Sequence, residues 1–186
     1  MRKLRIGVHI SLDGIIETND GYLYGDWTAP FRSPAGLARI TAIHSQPFDL
    51  ILGRHTYDLW SQHWPKISGT PIADGINNAT KYIATHHPES LAWGPHEALG
   101  TDLIADIQRL KSTEGPDLML WGSSTLTTPV LEHKLADELM LVVYPVLLGT
   151  GKRLFAEGSA PMSTFKLADT QTTPTGVLLN TYTLAD

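Results

Sequence analysis

The chain predicts an α/β fold: a mainly parallel sheet between helices, closed at its carboxyl end by antiparallel strands. Three observations predict it. Short apolar runs alternate with helical patterns up to about residue 133. Strand patterns then follow one another with no helix between them. Two of the apolar runs, Leu50-Ile51-Leu52 and Leu118-Met119-Leu120-Trp121, end in a glycine and turn into a polar segment. Open α/β sheets bind phosphate-bearing ligands at such strand ends.

Leu4, Ile6, Val8 and Ile10 alternate with Arg5, Gly7 and His9, which is the period of a strand, and Ser11-Leu12-Asp13-Gly14 turns. Residues 17–32, rich in Gly, Asp, Thr and aromatics, read as a long loop. Ser33 can cap a helix and Pro34 suits its first position, with the helix ending before Pro47. Asp49 to Leu52 is a strand, and a short helix opens over Tyr57 to Trp60. Residues 61–79 read as irregular, punctuated by Pro and Gly. Lys81 to Thr85 is a short strand, followed by His86-His87-Pro88. Thr101-Asp102 caps a helix to about Glu114, with Leu103, Ile107 and Leu110 on one face.

Asp117 to Trp121 is a strand. Pro129 either kinks the following helix or marks its start at Thr128-Pro129. Glu138 to Leu148 is a long apolar strand in which Pro145 points to an edge position or a bulge. Phe165 to Thr170 and Val177 to Leu184 form a hairpin through Pro174-Thr175-Gly176. No repeat, low-complexity tract or linker divides the chain, so residues 1–186 are expected to form a single domain.

Composition narrows the function. A formal net charge of −5 disfavours nucleic acid as a partner. An anionic ligand must therefore be held by a local site rather than by the overall field. Cysteine is absent, which excludes disulfides and thiolate chemistry. The basic start, Met1-Arg2-Lys3-Leu4-Arg5, leads into a run broken by His9 and Asp13, too short and polar for a signal peptide or a membrane span. A cytoplasmic protein is expected, and the sequon Asn78-Ala79-Thr80 is read as chance. The eight histidines show no metal-ligand spacing, so no metal is expected.

The two glycine turns are the candidate sites. Gly53-Arg54-His55-Thr56 offers backbone N–H groups, a hydroxyl and an arginine that can pair bidentately with a phosphate. Gly122-Ser123-Ser124-Thr125 offers a close backbone approach and a capping serine. A third glycine turn, Gly149-Thr150-Gly151, precedes Lys152, but the upstream glycine of a P-loop is missing. A serine-hydrolase elbow centred on Ser124 would need a second glycine where Leu126 stands. Trp27, in the long loop, is placed over a flat ligand.

These residues carry a family resemblance. Gly53-Arg54-His55-Thr56-Tyr57 resembles the Gly-Arg-x-Thr-aromatic turn of dihydrofolate reductases. Ser11-Leu12-Asp13-Gly14 and the segment from Asp137 to Phe155, with its Gly149-Thr150-Gly151-Lys152-Arg153-Leu154-Phe155 ending, resemble the riboflavin-biosynthesis reductases (the RibD C-terminal domain). The resemblance runs from about Arg5 to Leu184. It implies a dihydrofolate-reductase-like three-layer sandwich with a mostly parallel mixed sheet and an antiparallel C-terminal hairpin. It also implies NADPH as hydride donor and a homodimer, for which Leu139 to Leu148 is the expected surface.

Carried over, Gly53, Arg54, His55 and Thr56 would hold the cofactor phosphates, with Thr85 and His86 near the adenosine 2′-phosphate. Gly122, Ser123, Ser124 and Thr125 would cradle the pyrophosphate, helped by Gly149 and Gly151. Gly7, Val8 and Ile16 would line the nicotinamide. Asp13 is the candidate catalytic group, and Trp27 and Arg32 are the candidate substrate contacts.

The departures concern the substrate. The folate carboxylate after a Trp-x-x-Pro segment is absent, since Trp27-Thr28-Ala29-Pro30 leads into Phe31-Arg32-Ser33. The lysine usual in riboflavin-type reductases is Gly7, and Trp121-Gly122 stands in place of a glycine pair.

The expected function is hydride transfer from NADPH to a small pteridine- or pyrimidine-like heterocycle, as in 5-amino-6-(5-phosphoribosylamino)uracil reductases. The rival readings are a nucleotide-binding module without chemistry and the serine hydrolase centred on Ser124.

Overall fold

The computed structural model describes residues 1–18, 21–155 and 163–185. Eight strands form one sheet: β1 (Leu4–Ser11), β2 (Phe48–Gly53), β3 (Lys81–Ala84), β4 (His96–Ala98), β5 (Asp117–Trp121), β6 (Glu138–Tyr144), β7 (Phe165–Thr172) and β8 (Leu178–Leu184). Five α-helices accompany them: α1 (Pro34–Ile43), α2 (Arg54–His63), α3 (Pro71–Asn78), α4 (Leu103–Ser112) and α5 (Ser124–Glu132). The strand order is β4-β3-β2-β5-β1-β6-β8-β7. The six strands from β4 to β6 run parallel, and β8 and β7 are antiparallel.

The period of two sorts the core onto both faces of the sheet. In β5, Leu118 and Leu120 face one cluster with Ile107 and Leu110 of α4 and Val130 of α5. Met119 and Trp121 face the other, with Tyr57 of α2 and Ile76 of α3. Burying both faces of parallel strands explains why these runs are almost continuously apolar.

The structure corrects several expectations. Residues 61–79 contain α3, capped by Thr70, whose side chain accepts from the Ala73 N–H, with Pro71 at its first position. The same Ser/Thr-Pro signal marks α1, but the helix is short and carries Gly75 and two asparagines, which mask its period. β4 is three exposed or half-exposed residues without an apolar pattern. α2 begins at Arg54, before the expected opening at Tyr57. α5 starts at Ser124 and runs through Pro129. β6 ends at Tyr144, ahead of Pro145, and is neither an edge nor bulged at that proline. It pairs with β1 on one side and β8 on the other, so its backbone edges are closed.

The two ends of the parallel strands do different work. At their N-terminal ends, charged groups tie the layers together. Asp49 accepts from the Arg2 guanidinium and from the Thr80 N–H at 3.0 Å, and Asp137 accepts from the Leu4 N–H at 2.7 Å. The C-terminal ends open into a cavity.

Candidate active site

One continuous cavity of about 1850 Å³ lies across the C-terminal ends of β1, β2, β3 and β5. It exceeds the usual small-molecule pocket of up to ~1,000 Å³, which leaves room for two ligands.

Helix capping distinguishes two of its walls. α1, α3 and α4 are capped by their own side chains, Ser33, Thr70 and Asp102. α2 and α5, which start at the two glycine turns, have no side-chain cap. Their first N–H groups are therefore left for a partner outside the helix. Gly122 (φ +64°) and Ser123 (φ +55°) are both left-handed, and the Gly122 N–H is committed to the Gly7 carbonyl at 3.1 Å. The turns abut: a Cβ on Gly53 would stand 2.8 Å from Ser123 Oγ. Gly53, Thr56, Gly122, Ser123 and Thr125 line the cavity together.

Arg54 anchors the neighbouring loop. Its Nε donates to Asp58 at 2.8 Å, and its Nη1 donates to Ser90 Oγ (2.6 Å), the His87 carbonyl (3.2 Å) and Thr85 Oγ1 (3.3 Å). His55, Thr85 and His86 line the same wall. Lys152 enters from the opposite side, with Nζ 3.4 Å from Thr125 Oγ1.

Beyond Trp121 the cavity changes character. His9 Nδ1 is 2.7 Å from Tyr144 Oη, and the His9 ring lies 5.6 Å from the Trp121 ring at 23°. Tyr144 packs edge-on against Trp27 and Phe31. Asp26 is ion-paired with Arg32 and accepts from Thr28 Oγ1 at 2.5 Å. His9, Asp26, Thr28, Arg32 and Tyr144 all line the cavity, as do Val8 and Ile16.

Burial pushes the His9 imidazole down to about 4, with Asp26 opposing and Arg32 and His44 reinforcing the shift. Burial pushes the Tyr144 hydroxyl up to about 12. Both groups are thus neutral across the physiological range. Between pH 6.5 and about 4 the unfolded chain binds a proton at His9 that the folded chain refuses. Stability is therefore full above pH 6.5 and falls as pH drops toward 4, by roughly 3 kcal/mol for a shift of this size. Urea unfolding of wild type and His9→Gln across this window is expected to show a shallower acid slope in the variant. Equal slopes would contradict the assignment.

Other expected site residues lie elsewhere. Asp13 does not line the cavity. It is a latch: Ser11 Oγ donates to it at 2.6 Å, and the Gly149 and Leu148 N–H groups donate at 2.7 and 3.2 Å. The Ser11 hydroxyl first, and these amides with it, hold its carboxyl down at about 2. An anion held this way is a poor proton donor.

Gly149 and Gly151 are also off the cavity wall. A Cβ on Gly151 would strike Tyr22 and Ile15 at 2.8 and 2.9 Å, so this glycine lets the 149–154 strap pack and carry Lys152 inward. Trp27 is buried, with Nε1 donating to the Glu17 carbonyl at 2.7 Å, and supports Tyr144 rather than covering a ligand. Ser124 opens α5 and is not part of the cavity wall, and Gly7 lies beneath Trp121.

Gly7 and Trp121 are two halves of one feature. A Cβ on Gly7 would stand 2.9 Å from Trp121 Cη2 and Cζ3. Trp121 cannot easily yield, because Nε1 donates to His44 Nε2 at 3.2 Å and the His44 ring is nearly parallel to it. The large residue at 121 thus requires the missing side chain at 7. Gly7→Ala is expected to cost about 1–3 kcal/mol through overpacking. Much of that loss should return in Gly7→Ala/Trp121→Leu, read by chemical denaturation. No loss in the single variant would contradict the coupling.

His9, Asp26 and Tyr144 gave no signal in the sequence. His9 looked like the polar half of a strand alternation, and Asp26 precedes Trp27 where the folate pattern wants an acid after it. Among the described residues, no group of three or more His, Asp or Glu is placed to hold a metal ion. No helix among them is long and apolar enough to cross a membrane.

Comparison with known proteins agrees with this architecture. The RibD C-terminal domain family matches residues 2–179. The uncharacterized protein YyaP of Bacillus subtilis (strain 168) is 26% identical over 187 residues, covering 97% of this chain and 94% of that protein. The crystal structure of a putative riboflavin biosynthesis protein from Shewanella sp. PV-4 superposes with a TM-score of 0.72 at 19% identity, covering 99% of each chain. Dihydrofolate reductase from Enterococcus faecalis, complexed with NADP(H), gives a TM-score of 0.66 at 17% identity, covering 99% of this chain and 97% of that one. The three-layer fold is thus dihydrofolate-reductase-like, with the antiparallel strands at its C-terminal end.

Proposed function

The chain belongs to the RibD C-terminal domain family, and from this we propose that it is an NADPH-dependent reductase of a small pteridine- or pyrimidine-like heterocycle. One observation carries the reading. The two helices without side-chain caps, α2 and α5, point their N-termini into the same cavity, with Arg54 and Lys152 beside them. A pyrophosphate is the ligand that such an arrangement suits.

The residues present fit the dinucleotide. Amides of residues 54–56 and of Ser123, with Thr125 and Lys152, would hold the pyrophosphate, and Gly122 would leave room for its approach. Arg54, Thr85 and His86 would face the adenosine 2′-phosphate, and Val8 and Ile16 would line the nicotinamide. When bound, the nicotinamide supplies a hydride. The protein's part is to hold the reactants in contact and exclude water. A homodimer and a cytoplasmic location belong to the same proposal.

Purified protein is expected to oxidise NADPH in the presence of at least one member of a panel of pterins, pyrimidines and quinones. NADPH binding with no turnover across that panel would favour the binding module without chemistry.

A further inference from the structure

The part of the cavity beyond Trp121 has a chemistry of its own. Its polar wall is the His9–Tyr144 pair, its ion pair is Asp26 with Arg32, and Glu17, whose carboxylate accepts from the Lys152 N–H, also lines the cavity. Of the other cations on the described cavity wall, Arg54 is tied to Asp58 and the 85–90 loop, and Lys152 lies against Thr125. Only Arg32 could meet an anion at this end, and its guanidinium is engaged by Asp26. The chamber thus pairs its positive charge internally. Phe31, Val142 and Leu179 supply apolar wall. A phosphate entering here would have to compete with Asp26 for the solvent-exposed Arg32 and would stand beside the like charge of Asp26.

A ligand can join the hydrogen-bond chain at Tyr144. Thr28 Oγ1 gives its proton to Asp26, so toward Tyr144, its other hydrogen-bond partner, it is an acceptor. With His9 Nδ1–H donating to Tyr144 Oη at 2.7 Å, the Tyr144 O–H can turn from Thr28 Oγ1 to an acceptor in the cavity. A ligand carbonyl or ring nitrogen there would extend the chain, and linked hydrogen bonds strengthen one another.

We propose that this chamber is a subsite for an uncharged, planar, conjugated ligand, anchored by a hydrogen bond from Tyr144 Oη–H to a carbonyl oxygen or ring nitrogen, and that it rejects phosphorylated ligands. The inference rests on the reductase reading for its meaning, because this ligand would be the hydride acceptor. It sets the acceptor apart from a phosphoribosyl pyrimidine.

A matched pair of probes tests it. Riboflavin and flavin mononucleotide share one ring system and differ by a phosphate, and lumazine is a smaller neutral probe. Each is titrated calorimetrically into the protein alone and into the protein saturated with NADP⁺, which prevents turnover. Riboflavin or lumazine is expected to bind saturably, with flavin mononucleotide weaker by about tenfold or more. Tyr144→Phe should weaken the neutral probe about tenfold and leave NADP⁺ affinity within about twofold. Asp26→Ser, which frees Arg32, should improve flavin mononucleotide at least about fivefold.

The proposal is overturned if neither neutral probe binds, if flavin mononucleotide binds as well as riboflavin, or if Tyr144→Phe leaves neutral-probe affinity unchanged. Neutral-probe binding without NADP⁺ binding would support the subsite while sinking the dinucleotide reading. NADP⁺ binding with phosphate-preferring probes would do the reverse.

Discussion

Gly53→Ala is expected to lower NADPH affinity by about ten- to a hundredfold while the fold persists. The added methyl would stand 2.8 Å from Ser123 Oγ and 3.3 Å from Ser123 Cβ, closer than side chains tolerate. Gly53 is the N-cap of α2 and Ser123 the N-cap of α5; turning Ser123 Oγ aside relieves the closer contact, but its Cβ can give way only if the two helix starts separate slightly. The amides of both then lose their common focus. Each charge-assisted hydrogen bond to a phosphate is worth about 1.5–3 kcal/mol, so misaligning one or two accounts for the expected range. Ser123→Gly in the Gly53→Ala background removes both close atoms and suits the left-handed backbone at 123. The double variant should recover much of the affinity in a fluorescence titration. A single variant that binds NADPH like wild type would show that the two turns do not act as one site.

Asp49→Ala should destabilise the protein by about 3–5 kcal/mol, the usual result of removing one partner from a buried ion pair. Asp49 and Arg2 are 7% and 4% exposed, and Asp49 also accepts from the Thr80 N–H. Lys81, fully buried, feels the same carboxylate. Burial pulls its ammonium down to about 8, Asp49 opposes this, and Nζ donates to the Asn77 carbonyl at 2.6 Å and lies 4.4 Å from the Trp93 ring. Without Asp49, two buried cations lose their nearest anion. The group sits at the start of β2, at the opposite end of the strand from Gly53. Urea denaturation should therefore show the full loss, while NADPH affinity of the folded variant stays near wild type. A loss below about 1 kcal/mol would mean the pair is not a structural keystone.

This division of labour was only half legible in the sequence. Strands such as Leu118 to Trp121 declare themselves because both faces are buried, and Ser33 and Asp102 mark their helices because capping is local chemistry. The glycine turns at 53 and 122 were visible for the same reason. The absence of caps there became informative only when α1, α3 and α4 were seen to have them.

Long-range pairings leave no local trace. His9 meets Tyr144 across 135 residues, and Asp13 reaches Gly149 across 136. The second pairing makes Asp13, the candidate catalytic group, a latch on the 148–149 backbone. Trp27 stood in a loop of exposed character and proved to be core, since its indole packs on Tyr144 of β6. The two departures from the family pattern, Gly7 and Trp121, looked independent until their contact made each the reason for the other.

We propose that the α2 and α5 helix starts form one dinucleotide site. It is tested most directly by titrating the protein, with its five tryptophans, against NADPH and NADH while following fluorescence quenching and energy transfer. Saturable binding with a preference for NADPH, weakened in Gly53→Ala and regained in Gly53→Ala/Ser123→Gly, is the predicted result. Absence of binding by either dinucleotide to the folded wild-type protein would contradict it, and would leave the shared fold without the shared ligand.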